Sequence, residues 1–339
     1  MINRDIIIDY LRFIGLSLIV LAHISAPNSL HQFRCFDVPL MIFITGLTTS
    51  RKVNSDYRNY ICKRSMRLLV PVYIFLTLFF VSLFIIQLIC DISINCLNRR
   101  DIINSYLLLE GIGYVWVIRV FLLLGFITPL IVRFEKFCKN DFIYGSVCII
   151  ISLINDLFLY IHITPLPGGK FVNIFFTEFI MFLIGYTPLF MLGLRLRYAN
   201  KNKILKYTCS TFLYLLLILF IYIMKYGFPI LITPNYKYPP QVYFIIYGAA
   251  ASVILWLIKN VINKVIICMR LSSLATFIGQ NSIWIYLWHI PLVLFMSPYI
   301  ENWFARYIAV FGFAIFIFYI QSVIVMKINN ITISRYLLG

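Results

Sequence analysis

Leu68-Leu69-Val70-Pro71-Val72-Tyr73-Ile74-Phe75-Leu76-Thr77-Leu78-Phe79-Phe80-Val81-Ser82-Leu83-Phe84-Ile85-Ile86-Gln87-Leu88-Ile89-Cys90 is a run of 23 residues without one charged side chain. As a helix at about 1.5 Å per residue it would be roughly 35 Å long, enough to cross the ~30 Å hydrocarbon core of a bilayer. The run is continuously apolar rather than alternating, which excludes a strand of a membrane β-barrel. Lys63, Arg64 and Arg67 stand immediately before it, as cations do at a membrane boundary.

The same reading extends over the whole chain. Hydrophobic residues make up 62% of the 339 and charged residues only 12%, about half the charge of a soluble domain. That excludes an ordinary cytosolic enzyme and a disordered chain. Ten stretches are expected to be spans: 6–26, 36–50, 68–90, 114–132, 142–162, 171–193, 205–224, 241–258, 273–297 and 303–326. The second is short and is expected to tilt little or to stop inside the protein. The expected fold is all-α, a polytopic membrane helix bundle of about ten transmembrane helices. It forms a single integral-membrane domain over 1–339 without a soluble domain.

Charge sets the orientation. With the N-terminus in the cytoplasm, 20 of the 29 Lys and Arg residues fall in cytoplasmic segments and 7 in outer ones, and Arg12 and Arg119 lie within spans. This asymmetry fits the positive-inside rule, so both termini are expected to be cytoplasmic. The formal charge of +17 is then mostly topology, and its segregation argues against a nucleic-acid partner. Asp9 and Arg12 interrupt the first apolar stretch, which is too long for a cleaved signal peptide. Residues 51–67, basic with Tyr57, Tyr60, Ile61 and Met66 interleaved, read as an amphipathic helix on the cytoplasmic surface. The outer segments near 91–113 and 225–240 are long enough to shape a mouth.

Cysteines occur at 35, 62, 90, 96, 138, 148, 209 and 268. They show no Cys-x-x-Cys pair and no zinc spacing. Cys90 and Cys96 are the one pair close enough in sequence to suggest a disulfide; the others read as packing residues. No bound cofactor or metal is expected.

Charges inside spans are costly and mark function more often than not. Asp9, Arg12 and His23 lie in the first span, Arg119 in the fourth, Glu178 in the sixth and His289 in the ninth. Asp9 and Arg12 are three apart and can pair. Arg12 and His23 are eleven apart, about 20° past three full turns, so they share a face at a separation of about 16 Å. Ser282, Tyr286 and His289 follow i, i+4, i+7 spacing and form one stripe. His23, Arg119, Glu178 and His289 would all sit in the outer half of the bundle. A histidine there can take a proton from a hydroxyl, and an arginine can hold a carboxylate, a phosphate or a developing oxyanion. The set suits acyl transfer to an alcohol. It equally suits a proton-coupled transporter, and each residue alone also suits a satisfied core network.

Two further motifs carry chemistry. Arg64 and Arg67 at the inner end of the third span could hold phosphates, or simply snorkel to anionic lipid. Lys237-Tyr238-Pro239-Pro240-Gln241-Val242-Tyr243 offers rigid prolines and aromatic faces suited to sugars, and equally suits an interfacial aromatic belt.

Asp9-Tyr10-Leu11-Arg12 followed by ten residues and His23 resembles the Arg-x10-His signature of the acyltransferase family 3 membrane proteins. Val38 to Gly46 is similar to that family's second span, and Lys63 to Pro71 to its basic approach to the third. Val115-Trp116-Val117-Ile118-Arg119 sits where the family often has a Trp-containing outer motif, and Ser282 to His289 resembles its late Tyr-x-x-His segment. The ordered set covers nearly the whole chain. The resemblance implies about ten spans and transfer of an acyl group, acetyl by default, from cytoplasmic acyl-CoA. The acceptor would be a hydroxyl of an envelope or extracellular polysaccharide sugar, as in O-antigen, capsule or exopolysaccharide. The Lys-Tyr-Pro-Pro stretch looks like that of members acting on exopolysaccharide or O-antigen.

By this resemblance His23 is the essential histidine and Arg12 its signature partner, with Asp9 and His289 in catalytic roles. Arg64 and Arg67 would bind acyl-CoA. Trp116, Arg119, Glu178, Lys237, Tyr238, Ser282 and Tyr286 would bind the acceptor or support the site. Some relatives carry a C-terminal esterase-like domain; this chain ends at Gly339, so it is expected to act alone or with separate polysaccharide-assembly proteins. Expected partners are acyl-CoA, a polysaccharide or lipid-linked glycan, and membrane lipid. The expected location is the bacterial cytoplasmic membrane. A transporter or flippase for a glycan or small organic acid is the competing class; it predicts paired halves, and no internal repeat is visible.

Overall fold

A computed structural model describes residues 5–50, 57–91, 97–161, 169–227, 236–327 and 331–338. Helices are the regular structure throughout, with no strand among the described residues. In chain order they are α1 (Ile6–His23), α2 (Asn28–Arg34), α3 (Asp37–Thr48), α4 (Tyr57–Cys90), α5 (Arg99–Tyr106), α6 (Trp116–Phe137), α7 (Asp141–Ile161) and α8 (Gly169–Phe175). A π-helical turn (Phe176–Met181) joins α8 to α9 (Phe182–Leu196). Then come α10 (Lys201–Tyr226), α11 (Val242–Leu257), α12 (Lys259–Cys268), α13 (Ser272–Gln280), α14 (Ser282–Phe295), α15 (Trp303–Met326) and α16 (Ile331–Leu338). Local chemistry fixes several ends. Asp5, Asn98, Asn200 and Asn302 each accept a backbone N–H in the first turn of α1, α5, α10 and α15, and Gly227 ends α10 with φ +76°.

All ten apolar stretches are helical, but they are not ten equal spans. Among the described residues seven helices are long and apolar enough to cross a membrane, with α8, the π-helical turn and α9 taken as one, or eight if α11 and α12, bent by 66° at Ile258, count as one span. The second stretch is only the 12-residue α3, about 18 Å long. The ninth, expected unbroken over 273–297, is broken at Asn281 into α13 and α14. The expected surface helix over 51–67 is corrected too. Residues 57–67 are the first turns of α4, continuous with the third span, and 51–56 lie outside the described residues. With 34 residues α4 is about 51 Å long, so some 14 residues exceed the hydrocarbon core. The basic turns Arg58 to Arg67 account for most of that excess. Cys90 is a free thiol, whereas Cys96 lies outside the described residues.

The chain divides into two compact units, Met1–Ser55 with Phe126–Gly279 and Asp56–Gly125 with Gln280–Gly339. In the first, α3 is apolar on every side and packs most closely against α9. Leu40, Ile42, Phe43 and Leu47 are fully buried, and a helix apolar all round belongs in an interior. The contact depends on two glycines. A Cβ on Gly46 would lie 2.2 Å from the carbonyl oxygen of Phe190, and one on Gly193 would lie 2.1 Å from that of Phe43. In the second unit α14 packs against α4 and α15. Phe75 meets Trp288 edge-on at 5.8 Å, and the Trp288 Nε1–H donates to Gln321 Oε1 at 2.6 Å. The Trp284 Nε1–H donates to the carbonyl of Tyr336 at 3.0 Å, which ties α16 to the same core.

α4 carries a free, exposed cysteine near each end, Cys62 and Cys90. With the N-terminus inside, a membrane-impermeant maleimide on intact cells is expected to label a variant keeping only Cys90 and to spare one keeping only Cys62. The reverse pattern would invert the topology.

Candidate active site

In the first unit, α1 carries Asp9, Arg12 and His23 on one uninterrupted helix. The Asp9 carboxylate is buried and accepts from Arg12 Nη1 at 3.2 Å. The Asp9 backbone lies against Gly279, where an added Cβ would fall 2.1 Å from its carbonyl oxygen. His23 is half-buried in the last turn of α1. Because the helix is unbroken, the ~16 Å between Arg12 and His23 is a fixed spacing. The two side chains cannot meet on one reacting atom. Glu178 sits half-buried in the π-helical turn, a distortion that occurs frequently at functional sites.

The Lys237–Tyr238 segment is built into a corner that sequence reading missed. Asp37, at the start of α3, is 1% exposed. Its Oδ2 accepts from Arg34 Nη1 at 3.1 Å, and its Oδ1 lies 3.6 Å from Lys237 Nζ. Oδ1 also accepts the Val38 N–H at 2.7 Å. Arg34 Nη2 donates to His31 Nδ1; a guanidinium only donates, so the proton of His31 sits on Nε2. Burial, together with the Arg34 cation, lowers the His31 pKa below its usual value. Burial works most strongly against the Lys237 ammonium, but the Asp37 carboxylate, Tyr238 and Cys35 together outweigh it and raise the lysine above its usual value. Tyr238 lies beside Lys237, its ring centroid 5.5 Å from Nζ. The one sequence signal for this corner was the i, i+3 spacing of His31, Arg34 and Asp37.

A clamp holds this segment from α7. Asn155 Nδ2 donates to the carbonyl of Pro240 at 2.6 Å. Asp156 Oδ1 accepts the Val242 N–H at 2.7 Å, and Oδ2 accepts the Tyr222 hydroxyl at 3.2 Å. Tyr222, Tyr236 and Tyr243 pack ring on ring at 5.4–5.5 Å.

In the second unit Tyr286 and His289 do come together, their rings 4.9 Å apart. His289 is fully buried, and its Nδ1–H donates to the carbonyl of Tyr286. That makes Nε2 the basic nitrogen. The Tyr286 hydroxyl donates to the carbonyl of Tyr114, whose ring meets His289 edge-on at 6.0 Å. Ser282 is half-buried at the head of α14. Trp116 is half-buried in the first turn of α6, and Arg119 is buried one turn on. Arg64 is half-buried: its Nη1 donates to the Tyr60 hydroxyl at 3.1 Å, and its Cδ and Nε lie 2.9 Å from where a Cβ of Gly125 would be. Arg67, one turn on, is exposed. Among the described residues no group of three His, Cys, Asp or Glu side chains is placed to hold a metal ion.

A family model described as an acyltransferase domain matches residues 5–326. That range contains Asp9, Arg12, His23 and every other candidate site residue. Neither a curated protein nor a solved structure matches the chain.

Proposed function

The chain belongs to acyltransferase family 3, and from that premise we propose that it transfers an acyl group, acetyl by default, from cytoplasmic acyl-CoA to a hydroxyl of an envelope or extracellular polysaccharide. The carrying observation is the continuity of α1, which sets the Asp9–Arg12 pair and His23 on one rigid rod within the family-matched range. His23 accepts the proton of the sugar hydroxyl as its oxygen attacks the thioester carbonyl. The new C–O bond forms, the C–S bond breaks, and the thiolate of CoA takes the proton back from His23. Arg12, about 16 Å away, binds the donor rather than the reacting carbon, and Asp9 holds its guanidinium in place. His289, enclosed by Tyr286 and Tyr114, carries no proton in this scheme. The membrane is the cytoplasmic membrane of a bacterium, with both termini inside.

Mass spectrometry of the purified host polysaccharide, with and without the gene, tests the reading. Loss of one acyl group per repeat, restored by the wild type, is expected. Unchanged mass with altered amount or export would sink it and favour a glycan transporter.

Arg64 has its own test. The methyl of Gly125→Ala meets only the flexible end of Arg64, so the fold should hold to within about 0.5 kcal/mol. If Arg64 touches the phosphates of acyl-CoA, donor KM rises several-fold with kcat unchanged. An unaltered donor KM removes Arg64 from the donor site.

A further inference from the structure

The first unit holds a cavity of about 270 Å³ between α7 and α10, floored by α9 and α11. α7 packs on α9 and α11, and α10 packs on α11. Polar bridges join α7 to α10 at both ends of the gap. At one end Asp141 accepts the Tyr207 hydroxyl at 3.2 Å and pairs with Lys203 at 2.7 Å. About 16 Å further along α7, the hydroxyls of Ser152 and Tyr214 meet at 3.3 Å. Small side chains keep the space between the bridges open: Gly145, Ser146 and Ser210 line it, with Leu192 and Ala249 behind them. A Cβ on Gly145 would meet nothing within 4 Å. The volume is nearly twice that of a ~150 Å³ apolar cavity that takes up a benzene ring.

The surroundings decide what fills it. Ile150 and Leu153 of α7 and Phe212, Leu213 and Leu217 of α10 are exposed, and on helices that cross a membrane such faces meet lipid. Phe142 and Ser210 line the cavity and are themselves exposed, so it opens sideways into hydrocarbon. A void there forfeits the dispersion contacts of its walls, and the material at hand to restore them is an acyl chain. The mouth is cationic. Lys206 lines the cavity and is exposed, and Lys201 and Lys203 stand close to it in the first turns of α10. Asp141, the acidic residue of the lining, is held by Arg195 and Lys203.

We propose that this cavity binds one acyl chain of an anionic phospholipid, which enters between α7 and α10 from the bilayer and leaves its phosphate against Lys206. The cavity takes the chain, and the lysines select an anionic head over a zwitterionic one. The bound chain fills the seam that the Asp141 and Ser152 bridges leave open, so it couples α7 to α10 along their length. The site stands apart from α1 and from the acyl-transfer chemistry.

Photolabelling tests it. The full chain is reconstituted in vesicles with phosphatidylglycerol or phosphatidylcholine that carries a diazirine in one acyl chain. Loosely held lipid is washed away in detergent before irradiation, and the labelled residues are mapped. Phosphatidylglycerol is expected to label residues within 142–152 and 206–214 several-fold more than phosphatidylcholine does. The side chain of Gly145→Leu enters open space and favours the helix, so this variant should keep the wild-type melting temperature and lose that label. Ser210→Leu makes the same test from α10, should the first variant fail to fold. Lys206→Gln should keep the label and lower the preference for phosphatidylglycerol roughly fivefold, the worth of one lysine near an anionic membrane surface. Label that persists in both filled variants, label confined to other helices, or equal labelling by the two lipids would overturn the site. Label displaced by acyl-CoA and not by unlabelled phosphatidylglycerol would overturn it in favour of a donor pocket.

Discussion

Replacing His23 by alanine is expected to lower acyl incorporation into the host glycan by roughly 10²- to 10⁴-fold, the usual worth of a positioned general base. The protein should still accumulate and melt as the wild type does. His23 closes the last turn of α1 and is half-buried, so truncation opens little cavity and removes no core packing. Arg12→Ala should behave differently. Its guanidinium holds the buried Asp9 carboxylate at 3.2 Å, and removing one member of a buried ion pair costs a few kcal/mol. Arg12→Ala therefore loses stability and activity together, whereas His23→Ala loses activity alone. Incorporation of labelled acetyl groups, scored beside melting temperature, separates the two; full incorporation by His23→Ala would remove the histidine from the reaction.

Gly46→Ala and Gly193→Ala carry the largest expected cost to the fold. At either position the added methyl meets backbone, not the end of a flexible side chain, at 2.2 Å or 2.1 Å. Neither α3 nor α9 can yield by rotating a rotamer, so the helices must separate. Between two apolar helices in lipid, close packing of small residues is much of what holds the pair together. The expected loss exceeds about 3 kcal/mol, at the upper end of overpacking, and each single variant should already fail to accumulate as folded protein. A monodisperse peak for Gly193→Ala on size-exclusion chromatography, at wild-type yield, would contradict the α3–α9 contact. Gly145 and Gly312 are the controls, since a Cβ on either meets nothing within 4 Å.

What the sequence revealed and what it hid divide along one physical line. Apolar length and i, i+3 pairing are local, so the helical stretches, the Asp9–Arg12 ion pair and the Tyr286–His289 contact could be read from spacing. Interior position is not local. α3 looks like a short span because burial against protein and burial in lipid select the same residues; only packing against α9 tells them apart. The break at Asn281 was hidden for a similar reason, since the flanking apolar runs read through the short polar triplet Gln280-Asn281-Ser282. The corner of Arg34, Asp37 and Lys237 was hidden most deeply. Arg34 was counted as an outer-loop charge, and nothing near it in sequence announces Lys237, some two hundred residues away. Arg64 looked like a free phosphate ligand, while half of it is spent on Tyr60 and the surface above Gly125.

α7 is tethered by polar groups near both ends. Asp141 bridges Arg195 and Lys203, each at 2.7 Å, and Asn155 and Asp156 grip the start of α11. The stretch between is about 22 Å long and presents Phe142, Ile150, Leu153 and Ile154 outward. That is shorter than the average hydrocarbon core, and neither tether can slide along the helix. A thick bilayer must thin around α7 or pull on the segment that bears Lys237. The helix thus works as a gauge of hydrophobic mismatch, and the acyl-chain length of the surrounding lipid enters the geometry of the Lys237 segment.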